Sequence, residues 1–203
     1  MLIIGVNGSP NPDGNTYFLL KQLLAKAESL GATTRILHAG ELVATTRNQF
    51  CVVCSMPCNG SCFRGTPVEE AFEWFKKADG IVLGSPVYFG TVSAQLKALF
   101  DLSRSVRMQK ALYNRVGVGI TVGTSRFGGQ ETTMKALHDI MLVHGMLLIG
   151  DGYTDDDCGH HGVCAVRPAD ADSFALQRAE ITAKRLVEVC EATTGLRADD
   201  QIS

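Results

Sequence analysis

The chain opens Met1-Leu2-Ile3-Ile4-Gly5-Val6-Asn7-Gly8-Ser9-Pro10-Asn11-Pro12-Asp13-Gly14-Asn15-Thr16, and this stretch decides the fold. Leu2–Val6 is an unbroken apolar run, the pattern of a strand covered on both faces. It breaks at Asn7-Gly8-Ser9-Pro10, residue types that favour turns. Asn15 or Thr16 then caps a helix on which Leu20, Leu23, Leu24, Ala27 and Leu30 share a face, and Gly31 ends it. A buried strand passing through a glycine-rich loop into an amphipathic helix is the first half of a β-α-β unit.

The alternation continues. Thr33–His38 reads as a second strand. Thr66-Pro67-Val68-Glu69 is a capping box with proline at the first helical position, opening a helix through Phe72 and Phe75 to Lys77. Ile81–Leu83, Val116–Val122 and Met146–Ile149 read as strands three to five. Helices are predicted over Ser93–Leu102, Gln130–His144 and Ala171–Cys190, the last with Phe174, Ala175, Arg178, Ile181, Leu186 and Val189 in helical rhythm. Five β-α units predict an α/β three-layer sandwich: a five-stranded parallel sheet with right-handed crossovers and helices on both faces. Five strands suit the flavodoxin-like order 2-1-3-4-5, whose ligand lies beyond the carboxyl ends of the strands. One domain is expected over residues 1–203. The stretch 41–65 is too long for an ordinary connection and holds four cysteines, so it reads as a functional insertion after strand 2.

Composition narrows the class. Of 203 residues, 45% are apolar and 20% charged, which is globular rather than disordered. A net charge of −2 gives no basic field for nucleic acid or anionic lipid. No apolar run approaches the ~20 residues of a membrane helix, and the N-terminus lacks the form of a signal peptide. A cytoplasmic protein is expected. Seven cysteines in a reducing compartment point to metal binding or redox chemistry rather than a disulfide framework.

Gly8–Thr16 offers free backbone N–H groups and the positive end of a helix dipole, an anion site, with Ser9, Asn15 and Thr16 adding short donors. It is not a P-loop, because Gly14 is followed by Asn15-Thr16 rather than Lys-Ser/Thr. It lacks the second glycine of G-x-G-x-x-G and has no nucleophilic cysteine. Neutral donors suit a monophosphate such as that of FMN; the competing reading is an ordinary Gly/Pro turn. A second loop, Gly84-Ser85-Pro86-Val87-Tyr88-Phe89-Gly90-Thr91, offers Tyr88 and Phe89 to a flat ring and the backbone of Pro86–Gly90 to its edge. A third, Gly123-Thr124-Ser125-Arg126-Phe127-Gly128-Gly129-Gln130-Glu131, follows strand 4 at the same edge.

Cys51-x2-Cys54-x3-Cys58-x3-Cys62 sets four thiols within twelve residues. Such a compact run can give one thiolate to each corner of a [4Fe–4S] cube, whereas structural zinc usually takes two separated cysteine pairs. The spacing favours the cluster over zinc and over free or disulfide-bonded thiols. Cys158-Gly159-His160-His161-Gly162-Val163-Cys164 is a second group of candidate ligands, expected after strand 5 near the binding edge, with a solvated loop as the plainer reading. Asp155-Asp156-Asp157 lacks calcium-loop spacing, Cys190 reads as core, and His38, His138 and His144 read as structural.

The Gly-Ser-Pro…Gly-Asn-Thr loop, the Ser-Pro-Val-Tyr-Phe-Gly…Ser-Ala-Gln-Leu-Lys segment over Ser85–Lys97, and Gly-Gly-Gln-Glu resemble the flavodoxin-like NAD(P)H-dependent FMN reductase superfamily. With the cysteine run, the chain is most similar to its iron–sulfur flavoprotein branch, from Met1 to about Val189. The resemblance implies FMN phosphate at Ser9, Asn15 and Thr16, with Asn11 standing where members often carry arginine. It implies the flavin ring near Pro86, Val87, Tyr88, Phe89 and Gly90 and near Gly123, Thr124, Gly128 and Gly129. It also implies a [4Fe–4S] cluster on Cys51, Cys54, Cys58 and Cys62, and a homodimer or homotetramer in which the cluster of one subunit lies near the flavin of another. The expected activity is electron transfer between a two-electron donor such as NAD(P)H and the cluster or a one-electron partner such as ferredoxin. The alternatives are an NAD(P)H-dependent flavin, quinone or nitro reductase without a cluster, and a non-enzymatic carrier.

Overall fold

A computed structural model describes residues 1–198. Strand β1 (Leu2–Asn7) lies between β2 (Thr33–His38) and β3 (Gly80–Pro86), and β4 (Val116–Gly123) and β5 (Leu147–Leu148) follow, all parallel, in the expected order 2-1-3-4-5. The fifth position is split. β5 covers only Val116 and Gly117 of β4, and a sixth strand, β6 (Val163–Val166), pairs with Ile120–Gly123 further along the same edge. The expected strand Met146–Ile149 is therefore only half the story. The Cys158-to-His161 stretch leaves from the middle of the fifth position instead of following a finished strand.

Apolar runs on both sides of the sheet explain its layering. On one face, α1 (Asn15–Ser29) and α7 (Ser173–Ala192) bury Leu19, Leu20, Leu23, Ala183 and Leu186. On the other, α3 (Pro67–Lys77), α4 (Ala94–Leu102) and α6 (Gln130–Val143) bury Phe72, Phe75, Leu96, Leu99 and Leu137. Each large side chain so buried contributes roughly 1.5–3 kcal/mol. Leu30 and Phe174, expected on buried faces, are exposed. Short helices α2 (Ala39–Ala44), α5 (Arg104–Met108) and α8 (Thr194–Ala198) complete the set.

The helix boundaries follow their caps, with corrections. Gly14 is the N-cap of α1 and no side chain caps it; Asn15 and Thr16 are its first helical residues rather than its cap. Gly31, at φ +94, closes the helix as expected. Thr66 Oγ1 caps α3 by accepting from Val68 N at 3.3 Å, and Glu69 reaches back to Gly65 N, one residue further than a standard box. α7 starts at Ser173 rather than Ala171, and the Asp172 carboxylate caps it by accepting from Ala175 N at 3.0 Å. Between β2 and α3, α2 takes up the start of the insertion and the cysteine-bearing remainder is irregular.

Candidate functional site

Parallel register brings Asn7 beside Gly84, and Pro86 beside Val122, so the loops after β1, β3 and β4 leave the sheet together. Gly8 N donates to Gly84 O at 2.8 Å, and the Ser93 hydroxyl donates to Gly8 O. A Cβ on Gly8 would lie 2.7 Å from Gly84 O, so only glycine allows this approach. Val87 N bonds Val122 O at 2.9 Å, and Gly129, at φ +100, packs on Val87 and Gly90. The three stretches singled out from sequence thus share one edge.

In the first loop, Asn7, expected in the turn, is the last residue of β1 and braces the loop. Fully buried, its Oδ1 accepts from Ser9 N, and its Nδ2 bonds Pro12 O and His38 Nδ1. Ser9 Oγ accepts from Asn11 N and Asn11 Oδ1 from Asp13 N, both at 3.1 Å. Those oxygens shape the loop, which leaves the Ser9 hydroxyl hydrogen and the Asn11 amide NH₂ as donors. Asn15 Oδ1 is engaged by Ala169 N, and Thr16 is 2% exposed with its methyl directed at Gly84. The uncapped N-terminus of α1 faces this loop, so the donor set fits a phosphate.

In the second loop, Tyr88 and Thr91 exchange two backbone hydrogen bonds around Phe89 (φ +50) and Gly90 (φ +75), a type I′ turn. Phe89 adopts a left-handed backbone that costs a non-glycine residue ~1–2 kcal/mol, with its ring fully in solvent. In the third loop Phe127 repeats the pattern at φ +57 and 96% exposed. Thr124 and Gly128 are exposed, Gly123 is buried, and Gln130 ties the loop down through Ser125 O at 2.7 Å. Phe127 was not singled out from the sequence, where nothing marks a positive φ at phenylalanine. Strained residues of this kind cluster at functional sites, and these two flank one edge.

The cysteine segment joins this region. A cleft of about 1110 Å³ is lined by Cys51 and Val53 together with Tyr88 and Phe89, and by Phe100 and His144. All four cysteines are free; Cys54 is exposed and Cys51, Cys58 and Cys62 are half-buried. Burial pushes the Cys62 thiol up, backbone hydrogen bonding opposes it, and Cys54, Cys58 and Cys51 push it up further. The Cys62 sulfur therefore senses the other three, and a bound cationic group would reverse the effect. Asn59 braces the turn: its N–H donates to Ser55 Oγ, its Oδ1 accepts from Ser61 N, and its carbonyl accepts from Arg64. Four thiols with no carboxylate or imidazole among them are a donor set that fits a metal–sulfur group. Among the described residues, no three His, Cys, Asp or Glu side chains converge on one metal position, in this run or in Cys158–Cys164. No helix among the described residues is long and apolar enough to cross a membrane.

Residues 1–159 match the family described as NADPH-dependent FMN reductase. An iron–sulfur flavoprotein of Methanocaldococcus jannaschii is 40% identical over 93% of this chain and 97% of its own length. Another, from Methanosarcina thermophila, is 37% identical over 94% and 96%. Among solved structures, the flavodoxin, WrbA-like protein from Agrobacterium tumefaciens superposes with a TM-score of 0.65 at 20% identity, over 94% of this chain and 96% of that one. That likeness carries the fold; the family match and the identity to the two archaeal relatives carry the kinship. The chain belongs to the NADPH-dependent FMN reductase family, in its iron–sulfur flavoprotein branch.

Proposed function

We propose that this is an FMN-dependent redox protein passing electrons between a two-electron donor such as NAD(P)H and a [4Fe–4S] cluster on Cys51, Cys54, Cys58 and Cys62, or a one-electron partner of the ferredoxin type. The observation that supports the reading is the cleft lined by Cys51 and Val53 together with Tyr88 and Phe89, which opens the cysteine segment and the loop assigned to the flavin onto one space. Flavin chemistry accepts a hydride and releases electrons singly, and a cluster carries one at a time, so the pair converts between the two kinds of partner.

The chain's own part is to hold and tune. The α1 N-terminus, the Ser9 hydroxyl and the amides of Asn11 and Asn15 would hold the phosphate. The backbone of Pro86–Gly90 and of Gly123–Gly129 would edge the ring. A homodimer or homotetramer belongs to this proposal: Phe50, Val52, Val53 and Met56, beside the cleft, are each more than half exposed, and a second copy would cover them.

The test is the visible spectrum of anaerobically purified protein before and after dithionite, with iron and sulfide analysis. Flavin peaks on a broad brown shoulder that bleaches, with iron and sulfide in equal amounts, are expected. Flavin peaks without the shoulder would overturn the cluster and leave a simple NAD(P)H-dependent reductase.

A further inference from the structure

The loop that splits the fifth strand position carries chemistry the electron-transfer proposal leaves unused. A cavity of about 560 Å³ lies there against α6, lined by His138, Asp151, His160, His161 and Cys164. One buried polar atom of these residues, His138 Nε2, has no hydrogen-bond partner, and Asp151 Oδ1 makes no hydrogen bond but faces the His160 ring. Unsatisfied buried groups are rare in folded proteins and call for a ligand, ordered water or ion.

The wall is built to orient imidazoles. Asp151 is 1% exposed, and its Oδ2 accepts from the buried Arg178 Nε at 2.8 Å, which fixes the carboxylate and balances its charge. Its free Oδ1 faces His160 Nδ1 at 3.4 Å. This is the carboxylate–histidine arrangement that steers the other ring nitrogen toward a metal. The His160 ring is steadied by the edge of Phe174, with centroids 5.8 Å apart, and Phe174 is the residue that leaves the buried face of α7. The rings of His138 and His161 are 5.9 Å apart, within the span of two imidazoles sharing an ion at ~2.0–2.1 Å from each nitrogen. Cys164, on β6, adds a thiol 3.4 Å from Thr121 Oγ1.

We infer that this cavity is a site for a divalent metal ion of the zinc class, held by His138, His161, Cys164 and His160, with Asp151 and Arg178 as positioning residues. Imidazole and thiol donors select that class over magnesium or calcium, which demand oxygen. His138 and Cys164 are anchored on α6 and β6. His160 and His161 are exposed on the loop, and binding requires that loop to shift, because no three donors meet at one point in this arrangement.

The test is equilibrium dialysis of the intact, anaerobically purified protein against Zn²⁺, followed by metal analysis and X-ray absorption at the zinc edge. One zinc per chain beyond the iron content is expected, with a mixed nitrogen and sulfur shell. His138→Gln and Cys164→Ser should each weaken it at least ~10-fold, and Asp151→Asn about 10–100-fold, the range for groups that orient a ligand. Far-UV circular dichroism and flavin absorbance establish that each variant is folded, and Cys164→Ser remains decisive if His138→Gln is not. No zinc uptake, a shell of sulfur alone, or wild-type affinity in the folded variants would overturn the site. A zinc held only by sulfur would belong to Cys51–Cys62 and would count against the cluster instead, so the two failures are distinguishable.

Discussion

Asn15 Oδ1 accepts the backbone N–H of Ala169 at 2.7 Å, joining residues 154 apart in the chain. The bond ties the first turn of α1 to the segment between β6 and α7, and leaves only the Asn15 NH₂ for an anion. The two halves of the amide thus do separate work, and substitution separates them. Asn15→Asp keeps an acceptor for Ala169 and puts negative charge at a helix N-terminus, which favours the helix. It also replaces the donor with a charge that repels phosphate. The expected outcome is unchanged stability in urea unfolding and FMN affinity down more than about 10-fold, roughly the 1.5–3 kcal/mol of a hydrogen bond to a charged group. Asn15→Ala should lose both, with about 1 kcal/mol of stability. Fluorescence titration of the apoprotein with FMN checks it, and wild-type affinity in Asn15→Asp would remove Asn15 from the site.

Phe89 combines a strained backbone with a ring that touches solvent. Phe89→Gly relieves ~1–2 kcal/mol of left-handed strain and loses about 0.4–1 kcal/mol to the freer unfolded chain. Folding stability should therefore hold or rise slightly, while affinity for FMN or turnover with NAD(P)H falls. A clear loss of stability without a change in either would mean the ring packs against the protein and serves the fold alone.

The sequence carried the sheet because its strands are continuous apolar runs punctuated by glycine and proline, a signal tertiary context rarely overrides. It missed the split fifth position, since Leu147–Leu148 and Val163–Val166 are too short for periodicity to register and the loop between them follows no pattern. The site loops were legible as glycine-rich stretches at strand ends. Their detail was not: that Asn7 organises the first loop, or that Phe127 sits at positive φ, depends on backbone geometry fixed by neighbours distant in sequence. His38 and His144, read as structural, hydrogen-bond Asn7 and Ser103, although His144 also lines the cleft, and His138 lies on a cavity wall no spacing rule connects to His160.

His144 sets a pH dependence of the fold. Burial, then the charge of Arg107, pushes its pKa down to about 4, while its Nε2 bonds Ser103 Oγ at 3.0 Å against the Phe100 edge. Unfolded, the group titrates near its ordinary value of about 6.5, so between these values the unfolded chain binds the extra proton. Stability from the neutral imidazole is complete above about pH 6.5 and falls as pH drops toward 4, by at most about 3 kcal/mol. His144→Gln should flatten that slope in urea unfolding of the apoprotein between pH 7.5 and 4.5. An equally steep slope in the variant would assign the effect to other groups.

Cys54 and Cys190 separate ligand from packing. Cys54 is exposed and touches no core, so Cys54→Ser should change folding stability by less than about 0.5 kcal/mol. As a proposed cluster ligand it should take iron, sulfide and the brown absorbance with it, while FMN stays bound, because Cys54, unlike Cys51, does not line the cleft shared with the loop proposed for the ring. Cys190 is fully buried, packed where a Cβ on Gly80 would meet its sulfur at 2.9 Å, with its thiol pushed up to about 12 by burial. Cys190→Ser places a hydroxyl in that apolar contact and should cost about 1–3 kcal/mol while leaving iron content unchanged. The opposite pairing of effects is the informative failure. Full iron in Cys54→Ser with loss of stability would mean the run is a structural turn and the cluster assignment is wrong.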